Sequence, residues 1–402
     1  MQVGTTFDPG GEFAASDFKF GRHGEIAAHR LDGGIFRWVT CTAALHGDAR
    51  RYAGFPEGIP EGTHLGTFLG RQAQHFLTDL GMDFIWFSNG FAFAANAWSC
   101  TGQLFDGERF DNARALGLQR DILRFWELFR AECPDFPIEC RGSNLATGMD
   151  LSAHGSPLRA IYEGGFQLSA PPNSPWAALD GNYGLELVGW MSHIAQLPEG
   201  GKYPFRYYTH DPWWLNSPWF DRYGRQPHDI YLPLALARLD EQGQVTKPTC
   251  INFLSADTSY GEIPDRCPID VVTHLVKALD DFPTEPGIAT WVYPFDEYHD
   301  MVGENRLGEI FFGDWFLTGA VNRGFALSGV VSSRSLKRIV KDGRGAFKGK
   351  VLVSVVPDAG SELESTLLAC LAGGSSLMLY GPVEHASPEV LALIGVSLGE
   401  PL

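Results

Sequence analysis

The sequence predicts a (β/α)8 TIM-like barrel followed by a smaller, partial Rossmann-like α/β unit. Eight short apolar runs alternate with longer amphipathic runs, which is typical of parallel strands joined by helices. The chain has 402 residues, and one barrel needs roughly 250, so a second unit is expected. After Val331 the pattern changes to β-α-β-α. We therefore place the barrel in residues 1–333 and the small α/β unit in residues 334–402.

The predicted strands are short and mostly apolar. They are Val3–Phe7, Phe36–Thr42, Phe84–Ser88, Pro137–Arg141, Arg206–Thr209, Cys250–Leu254, Thr290–Tyr293 and Ala326–Val331. The predicted helices carry apolar residues at helical spacing. The clearest are Leu65–Leu80, Asn112–Glu132, Gly184–Ile194, Asp229–Asp240, Pro268–Asp281 and Gly308–Asn322. Eight is the number of strands that closes a barrel of this kind.

Two segments depart from this alternation. Residues 142–182 are rich in Gly, Ser, Pro and Asn and are predicted to form a long loop after the fourth strand. Loops of that length in a compact domain are usually functional, and this one lies where barrel active sites are found. The C-terminal unit offers two strands, Lys350–Val356 and Ser376–Tyr380. Because two strands make a poor sheet, either this segment pairs with the barrel or the sequence is a fragment of a longer protein, and we favour the fragment.

The charge of the chain limits its partners. The formal net charge is −17, from 48 acidic and 31 basic residues, which argues against binding nucleic acid through a broad basic face. One dense basic run, Arg334–Lys350, is interpreted as a solvated linker, and a phosphate- or partner-binding patch is the alternative. No stretch approaches the roughly 20 apolar residues of a membrane span, so no membrane partner is expected.

The seven cysteines are scattered and contain no CxxC pair, which is a poor disulfide framework. Cys41, Cys140 and Cys250 lie in apolar strand-like runs and are predicted to be buried. The N-terminus has neither a basic region nor a long apolar region of the kind that secretory leaders carry. We therefore expect a reducing, cytoplasmic setting.

Aromatic residues make up 13% of the chain, with 28 Phe and 11 Trp. Sugars present apolar C–H faces beside hydroxyl groups, so their binding sites combine aromatic rings with carboxylates and amides. A set of aromatic residues at helical spacing is instead interpreted as core. That set is Phe125, Trp126, Phe129, Phe311, Phe312 and Trp315.

Polar residues follow most of the predicted strands, and in a barrel these positions converge on one pocket. The predicted catalytic residues are Asp211, Asp257 and Glu297. The predicted substrate-binding residues are Asn89, Trp98, Arg141, His210, Trp213, Trp214, Asp296 and His299. No metal ligand and no cofactor are predicted.

Each acid has a functional and a structural interpretation. Asp211 precedes Trp213 and Trp214, as a sugar subsite requires, but it also fits a cap before a buried aromatic pair. Asp257 lies in a Ser/Thr/Gly-rich loop whose hydrogen bonds would keep it ionised, and an Asx-turn is the alternative. Glu297 is a candidate general acid, and the structural alternative for this segment is a helix cap formed by Asp296. Two carboxylates across one pocket suffice for glycosidic cleavage.

The architecture resembles glycoside hydrolases in which a catalytic barrel precedes a trimerisation domain of amidotransferase-like fold, as in one group of β-galactosidases. The resemblance is carried by Trp-Val-Tyr-Pro-Phe-Asp-Glu at residues 291–297 and by the unit at Lys350–Tyr380. It implies a carbohydrate substrate, self-association into a homo-oligomer and Glu297 as nucleophile. Those enzymes carry an Asn-Glu pair after strand four that this chain lacks, so Asp211 and Asp257 lead as the partner carboxylate.

The sequence is compatible with three functions. The first is a glycoside hydrolase. The second is a barrel without catalytic activity that binds glycan or serves as a scaffold. The third is a metal-dependent sugar isomerase or epimerase, whose oxygen-rich ligands would suit Mg²⁺ or Mn²⁺. Its ligands would be His210, Asp211, Asp257, Glu297 and His299.

Overall fold

A computed structural model of the chain has a mixed α/β architecture with parallel sheets. It describes residues 4–7, 16–27, 38–94, 99–140, 142–143, 145–169, 182–197, 203–210, 227–255 and 266–399. The chain divides into two compact units. Unit 1 comprises residues 1–171 and 299–311, and unit 2 comprises residues 172–298 and 312–402. The predicted α/β class is confirmed.

Unit 1 alternates strands and helices along its first segment. Its elements are β1 (Gly4–Phe7), β2 (Ala44–Leu45), β3 (Thr63–His64), α1 (Leu65–Phe76), β4 (Phe84–Phe87), α2 (Ala115–Glu132), β5 (Ile138–Cys140), α3 (Thr147–His154), α4 (Leu158–Glu163) and β6 (Leu168–Ser169). The parallel sheet has the order β1-β4-β5-β6, so neighbouring strands follow one another in this sheet as they do along the chain.

Helices α1 and α2 of unit 1 pack against each other with their backbones close together. A Cβ atom on Gly66 would lie 2.6 Å from the carbonyl oxygen of Phe125, and one on Gly70 would lie 2.5 Å from that of Phe129. Only glycine fits such an approach. Phe125, Trp126 and Phe129 are fully buried, which confirms the interpretation of these rings as core.

Two predictions for unit 1 are corrected. The described part of the predicted strand Phe36–Thr42 contains only an isolated antiparallel bridge between Val39 and Ala27. The predicted loop at residues 142–182 contains α3, α4 and β6 within its described residues. All eight residues of α3 are buried, so packing against the rest of the unit outweighs the helix-breaking composition of the segment.

Unit 2 also alternates helices and strands. Its elements are α5 (Tyr183–Ala195), β7 (Pro204–His210), α6 (His228–Leu234), β8 (Ala237–Leu239), β9 (Val245–Thr246), β10 (Cys250–Ser255), α7 (Arg266–Asp280), β11 (Ala289–Tyr293), α8 (Phe295–Gly303), α9 (Leu307–Asn322), β12 (Gly329–Ser332), α10 (Ser333–Lys341), β13 (Val351–Val355), α11 (Glu362–Ala372), β14 (Ser376–Tyr380) and α12 (Pro388–Ile394). The division between the units falls within α8 and again within α9.

The main sheet of unit 2 has six strands in the order β14-β13-β11-β12-β8-β9, and only the β8–β9 pair is antiparallel. Strands β11 and β12 were predicted as the seventh and eighth barrel strands. In the structure β11 lies between β12 and β13, and β12 lies between β11 and β8. Both edges of each strand are therefore occupied within this sheet, and their place in a closed barrel stays a prediction.

The last four strands of this sheet to appear in the chain have a recognisable order. Numbered along the chain from β11, they run 2-1-3-4 across the sheet, which is the flavodoxin-like doubly wound order. The predicted two-strand C-terminal unit thus belongs to a larger sheet. The predicted domain boundary at residues 333 and 334 stays a prediction, although paired strands lie on either side of it.

Strands β7 and β10 of unit 2 form a separate parallel pair. Cys250, the first residue of β10, is exposed, whereas Cys41 and Cys140 are buried as predicted. The predicted helix Asp229–Asp240 is corrected, because it ends at Leu234 and residues 237–239 form β8. Pairing of β8 with β12 outweighs the helical spacing there.

Two of the aromatic residues predicted as core are exposed. Phe311 is buried, but Phe312 is 56% exposed and Trp315 is 43% exposed. The apolar residues of this helix surround its axis, so one face remains on the surface. Among the described residues, no helix has both the length and the apolar character needed to cross a membrane.

Candidate functional site

Some of the predicted site residues lie outside the part of the chain that the structure describes, and the others lie within it. Six of them lie outside the described residues: Trp98, Arg141, Asp211, Trp213, Trp214 and Asp257. His210 ends strand β7, and its side chain is not described. Asn89 and His299 belong to unit 1, while Asp296 and Glu297 belong to unit 2. The structure thus brings together one predicted pair, Asp296 and Glu297.

Asn89 occupies a tight turn directly after β4. Its φ angle is 54°, and that of Gly90 is 71°, so both residues are in the left-handed region. Asn and Gly are the residues that adopt this conformation most readily. Asn89 therefore lies at the carboxyl end of a parallel strand, as predicted, and its backbone conformation alone accounts for an asparagine there.

His299 has a structural contact in unit 1. The backbone N–H of Arg159, in the first turn of α4, donates to His299 Nε2 at 3.1 Å. The Arg159 side chain pairs with Asp300 at 2.9 Å. His299 therefore caps an N–H group that has no partner within its own helix. This role was missed because nothing local in the sequence links residues 159 and 299.

Asp296 and Glu297 lie in the first turn of α8, immediately after β11. Carboxylates are favoured there, because the N-terminal end of a helix carries partial positive charge. Each acid contacts the start of helix α10. Arg334 donates to both Asp296 oxygens, from Nε at 2.9 Å and from Nη2 at 2.7 Å.

The two oxygens of Glu297 have different partners. The Ser333 hydroxyl donates to Oε2 at 2.5 Å, and Lys337 Nζ lies 2.7 Å from Oε1. Ser333 and Lys337 are four residues apart and so lie on the same face of α10. We call Asp296, Glu297, Ser333, Arg334 and Lys337 the carboxylate cluster.

Helix α10 begins at Ser333 because Ser332 caps it. The Ser332 hydroxyl accepts from the backbone N–H of Ser335 at 3.1 Å, which is a common N-cap arrangement. The basic run was interpreted as a solvated linker, but its first half is this helix, and Arg338 also pairs with Glu241. The signal that could have revealed this is the capping serine followed by Ser333 and Lys337 at helical spacing.

The basic and hydroxyl side chains of the carboxylate cluster hold the Glu297 carboxylate in place and leave it poorly suited to bind a metal ion. A lysine ammonium group next to Glu297 Oε1 competes with any cation for that oxygen. Only 16% of the Glu297 side chain and 17% of the Lys337 side chain are exposed, so solvent and salt screen this pair weakly. Ser333 and Lys337 thus restrict the orientation of the Glu297 side chain in the first turn of α8.

Buried aromatic side chains of β11, the strand that precedes Asp296 and Glu297, contact tyrosines from neighbouring elements. The Trp291 indole N–H donates to the Tyr380 hydroxyl at 2.9 Å, and Trp291 packs edge-on against Tyr293. Burial, and next the nearby Asp314 carboxylate, raises the pKa of Tyr380 well above its usual value. Burial likewise raises the pKa of Tyr298. These phenols therefore remain neutral and support β11 rather than exchange protons.

No family model, curated protein or solved structure matches this chain.

Proposed function

We propose that the chain is a glycoside hydrolase in which Glu297 supplies one of the two reacting carboxylates. The observation that carries this proposal is that each Glu297 oxygen has its own partner near the carboxyl end of a parallel strand. Ser333 donates a hydrogen bond to Oε2, and Lys337 forms an ion pair with Oε1. Ligand sites in parallel α/β sheets lie at that end of the strands. Asp296 beside it, paired with Arg334, is a candidate for contact with sugar hydroxyls.

The chemistry needs a second carboxylate. One acid protonates the leaving oxygen, and the other attacks the anomeric carbon or activates a water molecule. We assign Glu297 the role of nucleophile or base, which the resemblance to glycoside hydrolases implies. Asp211 and Asp257 are the proposed acids, because each directly follows or closely follows a strand of the β7–β10 pair.

The barrel is part of this proposal. It is supported by the chain-order parallel pairing of β1, β4, β5 and β6 in unit 1, and by the parallel pairing of β7 with β10 in unit 2. Two sheets of unit 2 would supply the acids. Glu297 follows β11 of the six-stranded sheet, whereas Asp211 and Asp257 follow the strands of the β7–β10 pair. The amidotransferase-like resemblance of the C-terminal segment is supported by the 2-1-3-4 strand order, and self-association remains an expectation that accompanies it.

A second candidate is a protein that binds glycan without cleaving it. The ion pair with Lys337 favours this candidate, since it already neutralises Glu297. The metal-dependent isomerase receives no support, because Lys337 contacts Glu297 and His299 accepts from the Arg159 N–H.

A panel of chromogenic glycosides tests the three functions together. We expect the wild-type protein to hydrolyse at least one of them, with and without a chelator. Separate alanine substitutions at Asp211, Asp257 and Glu297 are then assayed on that substrate. Full hydrolysis by all three variants would end the proposal. Sugar binding without cleavage would favour the second candidate, and activity lost on chelation would favour the third.

A further inference from the structure

Lys337 belongs to the basic run Arg334–Lys350, which the sequence alone predicts to be a solvated linker. Its ammonium group lies 2.7 Å from Glu297 Oε1, while the Ser333 hydroxyl holds Oε2. Both partners come from one capped helix, α10, so one element contacts both oxygens of the carboxylate, through a hydrogen bond from Ser333 and an ion pair with Lys337. A carboxylate held at both oxygens cannot rotate freely.

The neighbouring Arg334–Asp296 ion pair is more exposed than the Lys337–Glu297 pair. Arg334 binds Asp296 through two hydrogen bonds, yet 55% of the Arg334 side chain is exposed. Solvent and salt therefore screen the Arg334–Asp296 pair more strongly than the Lys337–Glu297 pair. The Lys337 side chain is 17% exposed, and Ser333 is fully buried. The partners of Glu297, the residue with the proposed chemical role, are therefore less exposed than the partner of Asp296.

We propose that Lys337, together with Ser333, is a positioning residue that holds the Glu297 carboxylate in its reactive orientation. This inference rests on the proposed glycoside hydrolase function. Lys337 acts through Glu297, so its loss reduces the rate of the chemical step and leaves sugar binding largely intact.

Kinetics of three variants test this role. Lys337→Met keeps the length of the side chain and removes its charge, and we expect kcat to fall by roughly 100-fold with KM little changed, because misplaced reacting groups cost about that much. Lys337→Arg should restore most of the loss. Lys341→Met, at the exposed end of the same helix, is the matched control and should behave as wild type. Wild-type kcat in Lys337→Met, or failure of the arginine variant to recover, would overturn the proposal.

A second measurement does not depend on hydrolysis. Carbodiimide coupling of carboxyl groups, read by peptide mass spectrometry, compares Glu297 with the exposed Glu389. We expect Glu297 to couple faster in Lys337→Met than in the wild type, and at the wild-type rate in Lys337→Arg, with Glu389 unchanged throughout. Equal coupling of Glu297 in all three proteins would overturn the positioning role. Wild-type hydrolysis by a Glu297 variant would instead refute the proposed function while leaving this coupling result intact.

Discussion

Replacing Glu297 by glutamine is expected to lower kcat for glycoside hydrolysis by roughly 10³-fold, the scale of losing a proton-transferring or attacking carboxylate. Glutamine keeps the shape of the side chain and an oxygen that can accept from the Ser333 hydroxyl. It has no charge to pair with Lys337 and cannot form a bond to a sugar or accept its proton. The measurement is steady-state hydrolysis of the best substrate from the glycoside panel.

Glu304→Gln is the matched control for this variant. It makes the same change of charge at an exposed side chain that pairs with Arg306, one residue after the end of α8. We expect wild-type kcat from it, because Arg306 keeps its ion pair with Glu309. Equal kcat for the wild type and Glu297→Gln would remove Glu297 from the mechanism.

Replacing Arg130 by methionine is expected to have the largest effect on stability, a loss of about 3 kcal/mol in the free energy of unfolding of unit 1. The Arg130 guanidinium donates to the backbone oxygens of Phe166 at 2.7 Å, Phe136 at 2.8 Å and Cys133 at 3.0 Å. Methionine fills similar space but leaves these carbonyl groups without a donor. Amide hydrogen exchange of α2, measured by mass spectrometry, reports unit 1 by itself.

Arg124→Met provides the comparison for Arg130. Arg124 lies on the same helix, and its pair with Glu127 is exposed at both partners, so its loss should change the exchange of α2 very little. If Arg130→Met exchanges as slowly as Arg124→Met, the carbonyl contacts of Arg130 do not stabilise unit 1.

Local pattern predicted most elements but not how the strands pair. The predicted strands Phe84–Ser88 and Thr290–Tyr293 differ from β4 and β11 by one residue at one end. An alternation of strands and helices is common to closed barrels and open sheets, so it could not show that β11 pairs with β13. Strand neighbours are set by contacts between distant parts of the chain. The helices in residues 142–182 were missed for a related reason, since burial rather than composition determines them.

The candidate site was predicted in part. Asp296 and Glu297 were identified because acids that follow a buried strand lie at its carboxyl end. Ser333 and Lys337 were missed, since a dense run of basic residues usually marks a solvated segment. Their partner Glu297 lies 36 or more residues earlier in the chain, and no periodic pattern connects the two segments. His299 was predicted as a sugar contact from position alone, and its backbone contact with Arg159 depends on the fold.

The position of a bound sugar relative to residue 297 shows whether Glu297 lies next to the bond that is cleaved. A crystal of Glu297→Gln soaked with the best substrate would retain uncleaved sugar. We expect the sugar at the carboxyl end of β11, with its scissile oxygen or anomeric carbon next to the residue 297 side chain and Asp211 or Asp257 on the opposite side. A sugar bound in a pocket that residue 297 does not line would contradict the role proposed for Glu297.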